Sequence, residues 1–403
     1  MTSTEFTRPT PSWPRLDGVD LLRGLAIFFV LMNHVNMRLL SAKVPYTRGL
    51  PPQLVSSLVW NGQFGVQIFF AVSGFLITST TLRRWGSLSR VNVREFYQLR
   101  FARIAPLLLG LLVILSILHL AHIKDFVVNQ KVGGLGRALL AAFTFHINLL
   151  EARRGYLPAG WDIMWSLSVE EMFYLFFPLA CFLFRRGRFL VIPLLMFVVL
   201  GPFARSRAFN PNPVWREYSY LGGMDAIALG CLTALFVARR HLTPKFLWAL
   251  GILGTALLVF SLGFSIRAYT WGLGRNGLNM TILAAGACMV IAAVAQTQWQ
   301  APRILTPFLQ MGRRSYEVYL THIFVVLGFF SLFVAANKPM KAVPVLFVIV
   351  ILIAGLLGEL VARVYSEPIN RWLRVRWGDG PRRLGSVIES AEPITQEVST
   401  ISN

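Results

Sequence analysis

The chain has 403 residues, 55% hydrophobic and only 14% charged, with 31 Phe, which excludes an ordinary soluble domain and points to a multi-pass membrane protein. A formal net charge of +21 would suit nucleic acid, but the basic residues sit in short loops between apolar stretches, so the charge reads as membrane topology and no nucleic-acid partner is expected. Cys181, Cys231 and Cys288 all lie in apolar segments without the close pairing of a zinc or redox motif, and nothing in the sequence argues for a metal or a bound cofactor.

Residues 1–15 are polar and Pro-rich with no small-residue cleavage site, so the first span is expected to stay as an anchor behind a cytoplasmic segment. That span, near 20–40, reads DLLRGLAIFFVLMNHVNMRLL and carries Arg23 and His34. Eleven helical steps return the His to about 20° from the Arg and roughly 16 Å along the axis, so both project from one face. Ionisable groups in a spanning helix are costly, and they default to a functional reading. In the second span, 62–82, Ser73 and Gly74 lie mid-segment, where small residues permit either close helix contact or a backbone approach to substrate. Residues 83–103 form a basic amphipathic stretch ending in FYQLRFARIAP, where Arg100 and Arg103 share a helix face suited to a phosphate group or to lipid headgroups.

A third span follows near 104–122. The apolar segment 136–150 is short for a crossing and reads as a re-entrant or interfacial helix on the outer side. Span four, 165–184, opens WSLSVEEMFYLFFP, where Ser166, Glu170 and Tyr174 make an i, i+4, i+8 stripe while Glu171 falls on another face. Glu170 is the better candidate of the two acids, at a depth comparable to His34. Further spans fall near 188–204, 221–238, 245–264, 279–296, 314–336 and 342–365. Asp225 lies near the outer end of span six, and Ser315, Tyr319 and His322 share one face of span nine. His322 either orients a partner or packs in the core. From 381 to 403 the chain is Ser/Thr/Glu-rich and is expected to be disordered.

These segments define an all-α fold, a polytopic membrane helix bundle of about ten transmembrane helices. Arginines concentrate in alternate loops, at 83–103, 185–188, 239–245, 303–314 and 371–383, which places both termini in the cytoplasm. The expected organisation is a cytoplasmic segment 1–15, a membrane domain 16–380 and a cytoplasmic tail 381–403.

Five blocks in order then carry a resemblance: LDGVDLLRGLAIFFVLMNH, GVQIFFAVSGFLI, FYQLRFARIAP, WSLSVEEMFYLFFP and SYEVYLTH. Together they resemble the acyltransferase-3 family of integral-membrane acyltransferases. LDGVDLLRG stands where the family opens closer to LDGLRG, and Met172 replaces a Gln, but neither departure removes a titratable group. The resemblance implies acyl transfer, acetyl by default, from cytoplasmic acetyl-CoA or another acyl-CoA as co-substrate to a hydroxyl on a carbohydrate or small acceptor at the outer side of the plasma (inner) membrane. Arg100 and Arg103, with Arg23, would engage the CoA phosphates. His34 would act as general base oriented by Glu170, or as a covalent acyl carrier. Ser73, Gly74, Ser166, Tyr174, Asp225, Tyr319 and His322 are the expected pocket residues. With only a short tail after the last span, transfer is expected to finish within the membrane part or with a separate partner. A multi-pass transporter or flippase of a glycan or small molecule is the alternative, since buried His, Arg and Glu also suit a proton-coupled carrier.

Overall fold

The computed structural model describes residues 16–184 and 189–378. The segment 1–15, the tail from 381 and the Arg185, Arg186, Arg188 cluster lie outside the described residues. Those that are described form helices and turns, with no strand among them. We number the ten long helices α1 Asp17–Ser41, α2 Gly62–Trp85, α3 Val93–Leu120, α4 Met164–Leu183, α5 Val191–Arg205, α6 Tyr220–Arg239, α7 Pro244–Gly263, α8 Leu278–Thr297, α9 Ser315–Ala335 and α10 Val343–Val361.

Local chemistry accounts for several helix ends. The side chains of Asn92, Ser219 and Thr243 accept hydrogen bonds from the free amides of the first turns of α3, α6 and α7. Asp17 and Asp20 sit at the positive end of the α1 dipole and Arg38 at its negative end. Gly86, at φ 72°, ends α2 in a left-handed conformation that costs glycine nothing.

Ionic and polar contacts define the two ends of the bundle. At one end Arg313 pairs with Asp17 and Asp20, Arg314 pairs with Glu359 and Glu367, and Gln296 joins the end of α8 to the start of α7. At the other, Arg38 pairs with Asp125, and the Lys338 ammonium donates to the Ala42 carbonyl. The starts of α1 and α9 and the end of α10 therefore share one end, called here the arginine end.

Nine helices are long and apolar enough to cross a membrane among the described residues. The difference from ten is α5, whose 15 residues rise only about 22 Å against a hydrocarbon core of about 30 Å. It nonetheless carries the chain from one end of the bundle to the other, because it must join the end of α4 to the start of α6. The segment 136–150 forms two short helices, Gly134–Phe143 and Ile147–Arg154. Both stay at the end opposite the arginines, where the Tyr220 hydroxyl donates to the Phe145 carbonyl and the Asn148 amide to the Tyr218 carbonyl. The basic stretch 83–103 is also redistributed: α2 runs to Trp85 and α3 begins at Val93, so Arg100 and Arg103 belong to a membrane helix rather than to a surface segment.

Helix α2 is the centre of the bundle, packing on α1, α6 and α8. Of its most apolar stretch 72% is buried, against 17% for α7. The periphery exposes Trp248, Leu352, Leu356, Val113 and Ile117, side chains that cost nothing facing lipid. The close crossing of α2 and α6 depends on two glycines. A Cβ at Gly74 would overlap the Ile227 carbonyl oxygen, and one at Gly230 the Ala71 carbonyl oxygen.

Candidate functional site

Between α1, α2, α3, α4 and α9 lies a cavity of about 280 Å³, lined by Arg23, Ser73, Arg100, Arg103, Ser166, Glu170, Glu171, Tyr174, Ser315, Tyr316 and Tyr319 among others. Three of these helices, α1, α3 and α4, bring together three guanidinium groups and two carboxyl groups in an otherwise apolar bundle. Each comes from a segment the sequence singled out. Convergence is what the linear spacing does not contain.

The polar groups are interlocked. The Arg100 guanidinium lies over the Tyr174 ring, 3.5 Å from its centre. The Tyr174 hydroxyl donates to Glu170 and contacts Ser73, whose own hydroxyl donates to Glu170 Oε1 at 2.6 Å. Arg103 reaches Glu317 at 3.4 Å and stands over the Tyr316 ring. Arg23 pairs with Asp20 at 3.7 Å, and Asp20 is in turn held by Arg313. A guanidinium packed on an aromatic face keeps its in-plane donors free for an anion, which a lysine in the same place would not do.

His34 lies outside this cavity. Its ring packs on that of His322 with 4.9 Å between centres and a 52° tilt. His322 is fully buried, and its Nδ1 bonds the Tyr319 carbonyl at 2.5 Å. Tyr319 stands between the imidazoles and the cavity: its ring contacts His322. Its hydroxyl meets Ser166 Oγ at 2.6 Å and donates to the Ile163 carbonyl at 3.0 Å.

Four expectations are corrected. Glu170 does not orient His34, because its carboxylate is taken up by Ser73 and Tyr174 within the arginine cavity, nearly two turns into α4 from Met164. Glu171 also lines the cavity, since a concave wall accepts neighbours about 100° apart. Gly74 faces away from the cavity into the α2–α6 crossing. Asp225 is no pocket residue either. It is fully buried, and Arg205 grips both its oxygens at 2.9 and 2.7 Å while Gln67 and Thr281 donate at 2.9 and 2.6 Å. Arg205, the last residue of α5, is the partner that permits an aspartate there. An arginine closing one span and an acid in the next is the pattern that could have revealed the pair.

The site therefore belongs to a class of membrane helix bundle with a cationic cavity at one end and an imidazole pair beyond it. The acyltransferase-3 family model, described as an acyltransferase domain, matches residues 16–363, and the chain belongs to that family. Among curated relatives, O-acetyltransferase OatA of Staphylococcus aureus (strain NCTC 8325 / PS 47) is 23% identical over 368 residues, covering 88% of this chain and 57% of the relative. Peptidoglycan O-acetyltransferase OatA of Listeria monocytogenes serovar 1/2a is 26% identical over 334 residues, covering 77% and 48% respectively. The chain thus spans about half the length of these relatives. No solved structure matches it significantly.

Proposed function

We propose that this protein is a membrane-bound O-acetyltransferase that moves an acetyl group from acetyl-CoA to a hydroxyl of a carbohydrate, with His34 as general base. The observation that carries the reading is the cavity itself, where Arg23, Arg100 and Arg103 converge on one space from α1 and α3. Phosphates of an acyl-CoA match three guanidinium groups. The pantetheine arm is of the order of the roughly 16 Å that separates Arg23 from His34 along α1. Positive charge in the loops at the arginine end supports a cytoplasmic orientation for that end and for both termini, in the plasma membrane. A carbohydrate acceptor is supported by the Listeria relative, a peptidoglycan O-acetyltransferase.

In the step itself, His34 takes the acceptor hydroxyl proton as its oxygen attacks the thioester carbonyl carbon. The carbon–sulfur bond breaks, the ester forms, and the proton leaves His34 for the thiolate. Imidazole suits this because its ordinary pKa lies near working pH. Glu170 is reassigned to the donor cavity, where it holds the Ser73 and Tyr174 hydroxyls beneath Arg100.

The test is transfer of labelled acetyl from acetyl-CoA to glycans in membranes carrying the full chain. His34→Ala should lower the rate by about 10²-fold or more while acetyl-CoA still binds. Undiminished transfer by that variant overturns the assignment.

A further inference from the structure

His322 is the buried titratable group that the proposed reaction leaves without a task. It is fully enclosed, its Nδ1 is bonded to the Tyr319 carbonyl, and its Nε2 has no hydrogen-bond partner. A carbonyl only accepts, so Nδ1 carries the hydrogen, and in the neutral ring Nε2 is then a bare acceptor. Buried polar atoms are nearly always paired, so an orphan calls for an explanation. The His34 ring, with its centre 4.9 Å from that of His322 and tilted by 52°, is close enough for one of its edge nitrogens to reach Nε2 by rotation of the His34 ring alone.

We propose that His322 is the positioning residue for His34. Its Nε2 accepts the N–H of the His34 ring and so fixes the tautomer whose other nitrogen is bare and faces the acceptor hydroxyl. This rests on the reading of His34 as base. In many hydrolases a carboxylate performs this task, and Glu170 is engaged elsewhere. A neutral imidazole does the same work without placing an anion at membrane depth, where a charge is expensive. The hold on the His322 tautomer comes from the backbone of Tyr319, whose hydroxyl is tied to Ser166 and Ile163. Ring orientation is thereby anchored to the wall that separates the histidines from the donor cavity. The other charged groups around the pair are Arg38 on α1, paired with Asp125 at 2.8 Å, and Asp162, which faces Tyr319 and accepts from the Tyr218 hydroxyl at 2.9 Å.

The experiment uses the full chain in isolated membranes with their own glycans and reads CoA release from acetyl-CoA. His322→Leu should lower the maximal rate about 10²-fold and leave the KM for acetyl-CoA within about twofold, because the donor binds beyond Tyr319. His322→Gln, whose carbonyl oxygen can accept in place of Nε2, should recover most of the rate and move the acid limb of the pH profile. A His322→Leu protein with the wild-type rate and profile overturns the proposal, as does a His322→Gln protein as slow as the leucine variant. If the leucine variant does not insert, the glutamine variant alone decides, since an unmoved acid limb overturns the role. Activity in His34→Ala would instead sink the base assignment, so the two failures are distinguishable.

Discussion

The guanidinium of Arg100 rests on the ring of Tyr174, 3.5 Å from its centre, while the hydroxyl of that same tyrosine is bonded to Glu170 and Ser73. Cation, ring and carboxylate form one layered unit on the cavity wall. The arginine is thus held by a π-face, which leaves its planar fork of donors directed into the cavity.

Arg100→Lys is accordingly not a conservative change. An ammonium keeps the charge but loses the stacking and the bidentate geometry. We expect both Arg100→Lys and Arg100→Ala to weaken acetyl-CoA binding by about tenfold, in line with one desolvated cation–π contact or charge-assisted hydrogen bond. Calorimetry with acetyl-CoA on the purified protein tests this, and an unchanged Kd in both variants would remove Arg100 from the donor site.

The Arg205–Asp225 pair makes a different prediction, about stability. Removing one partner leaves the other charged and buried, a change that costs about 3 to 5 kcal/mol. Asp225→Ala and Arg205→Ala should each lower the Tm markedly. An Arg205→Met/Asp225→Leu double variant should recover much of the loss, because neither charge is then stranded. Thermal unfolding in detergent measures all three, and simple additivity would contradict the pairing.

Crossing geometry supplies the third expectation. With the Ile227 carbonyl oxygen against the Cα of Gly74, Gly74→Val must push α2 from α6, at a cost of about 1 to 3 kcal/mol or more. Gly86→Ala, in open space at a positive φ, should destabilise by less. If the two variants unfold at the same temperature, the close approach is not what demands glycine at 74.

Glu151 gives a pH dependence of stability. It is enclosed beside Asp162, and burial pushes its carboxyl well above the ordinary range, with the Asp162 carboxyl adding to the effect. Its Oε1 accepts the Leu157 amide at 2.9 Å. A carboxyl whose pKa is raised in the folded state binds protons more tightly there than in the unfolded chain. Its stabilisation is complete below the unfolded pKa and is lost as pH rises through the folded one. Tm should therefore fall with rising pH across that window, and Glu151→Gln should flatten the fall. Parallel Tm curves for the two proteins would contradict the assignment.

Helical periodicity made much of the fold legible. Nine of ten expected spans recur as long apolar helices, because roughly twenty apolar residues in a row have few other solutions. Arg23, Arg100, Arg103, Ser73, Ser166, Glu170, Tyr174 and Tyr319 were all picked out from faces of their own helices, and the cavity collects them. Periodicity does not say which neighbour a face meets. Glu170 was matched to His34 on depth alone, but its neighbours are the hydroxyls of Ser73 and Tyr174. Asp225 looked like a pocket acid because nothing along its own helix points to its partner, Arg205, which comes from the helix before it. Both errors concern pairing between helices, which side-chain spacing along one helix leaves open.

Tyr319 has one further consequence. Energised membranes hold a proton gradient that any continuous chain of water would short-circuit. The Tyr319 hydroxyl, fastened to Ser166 and Ile163, sits as a bung between the arginine cavity and the two imidazoles. In the proposed reaction only the slender pantetheine arm has to pass that side chain to bring the thioester to His34, while the phosphate-bearing body of the carrier stays in the arginine cavity.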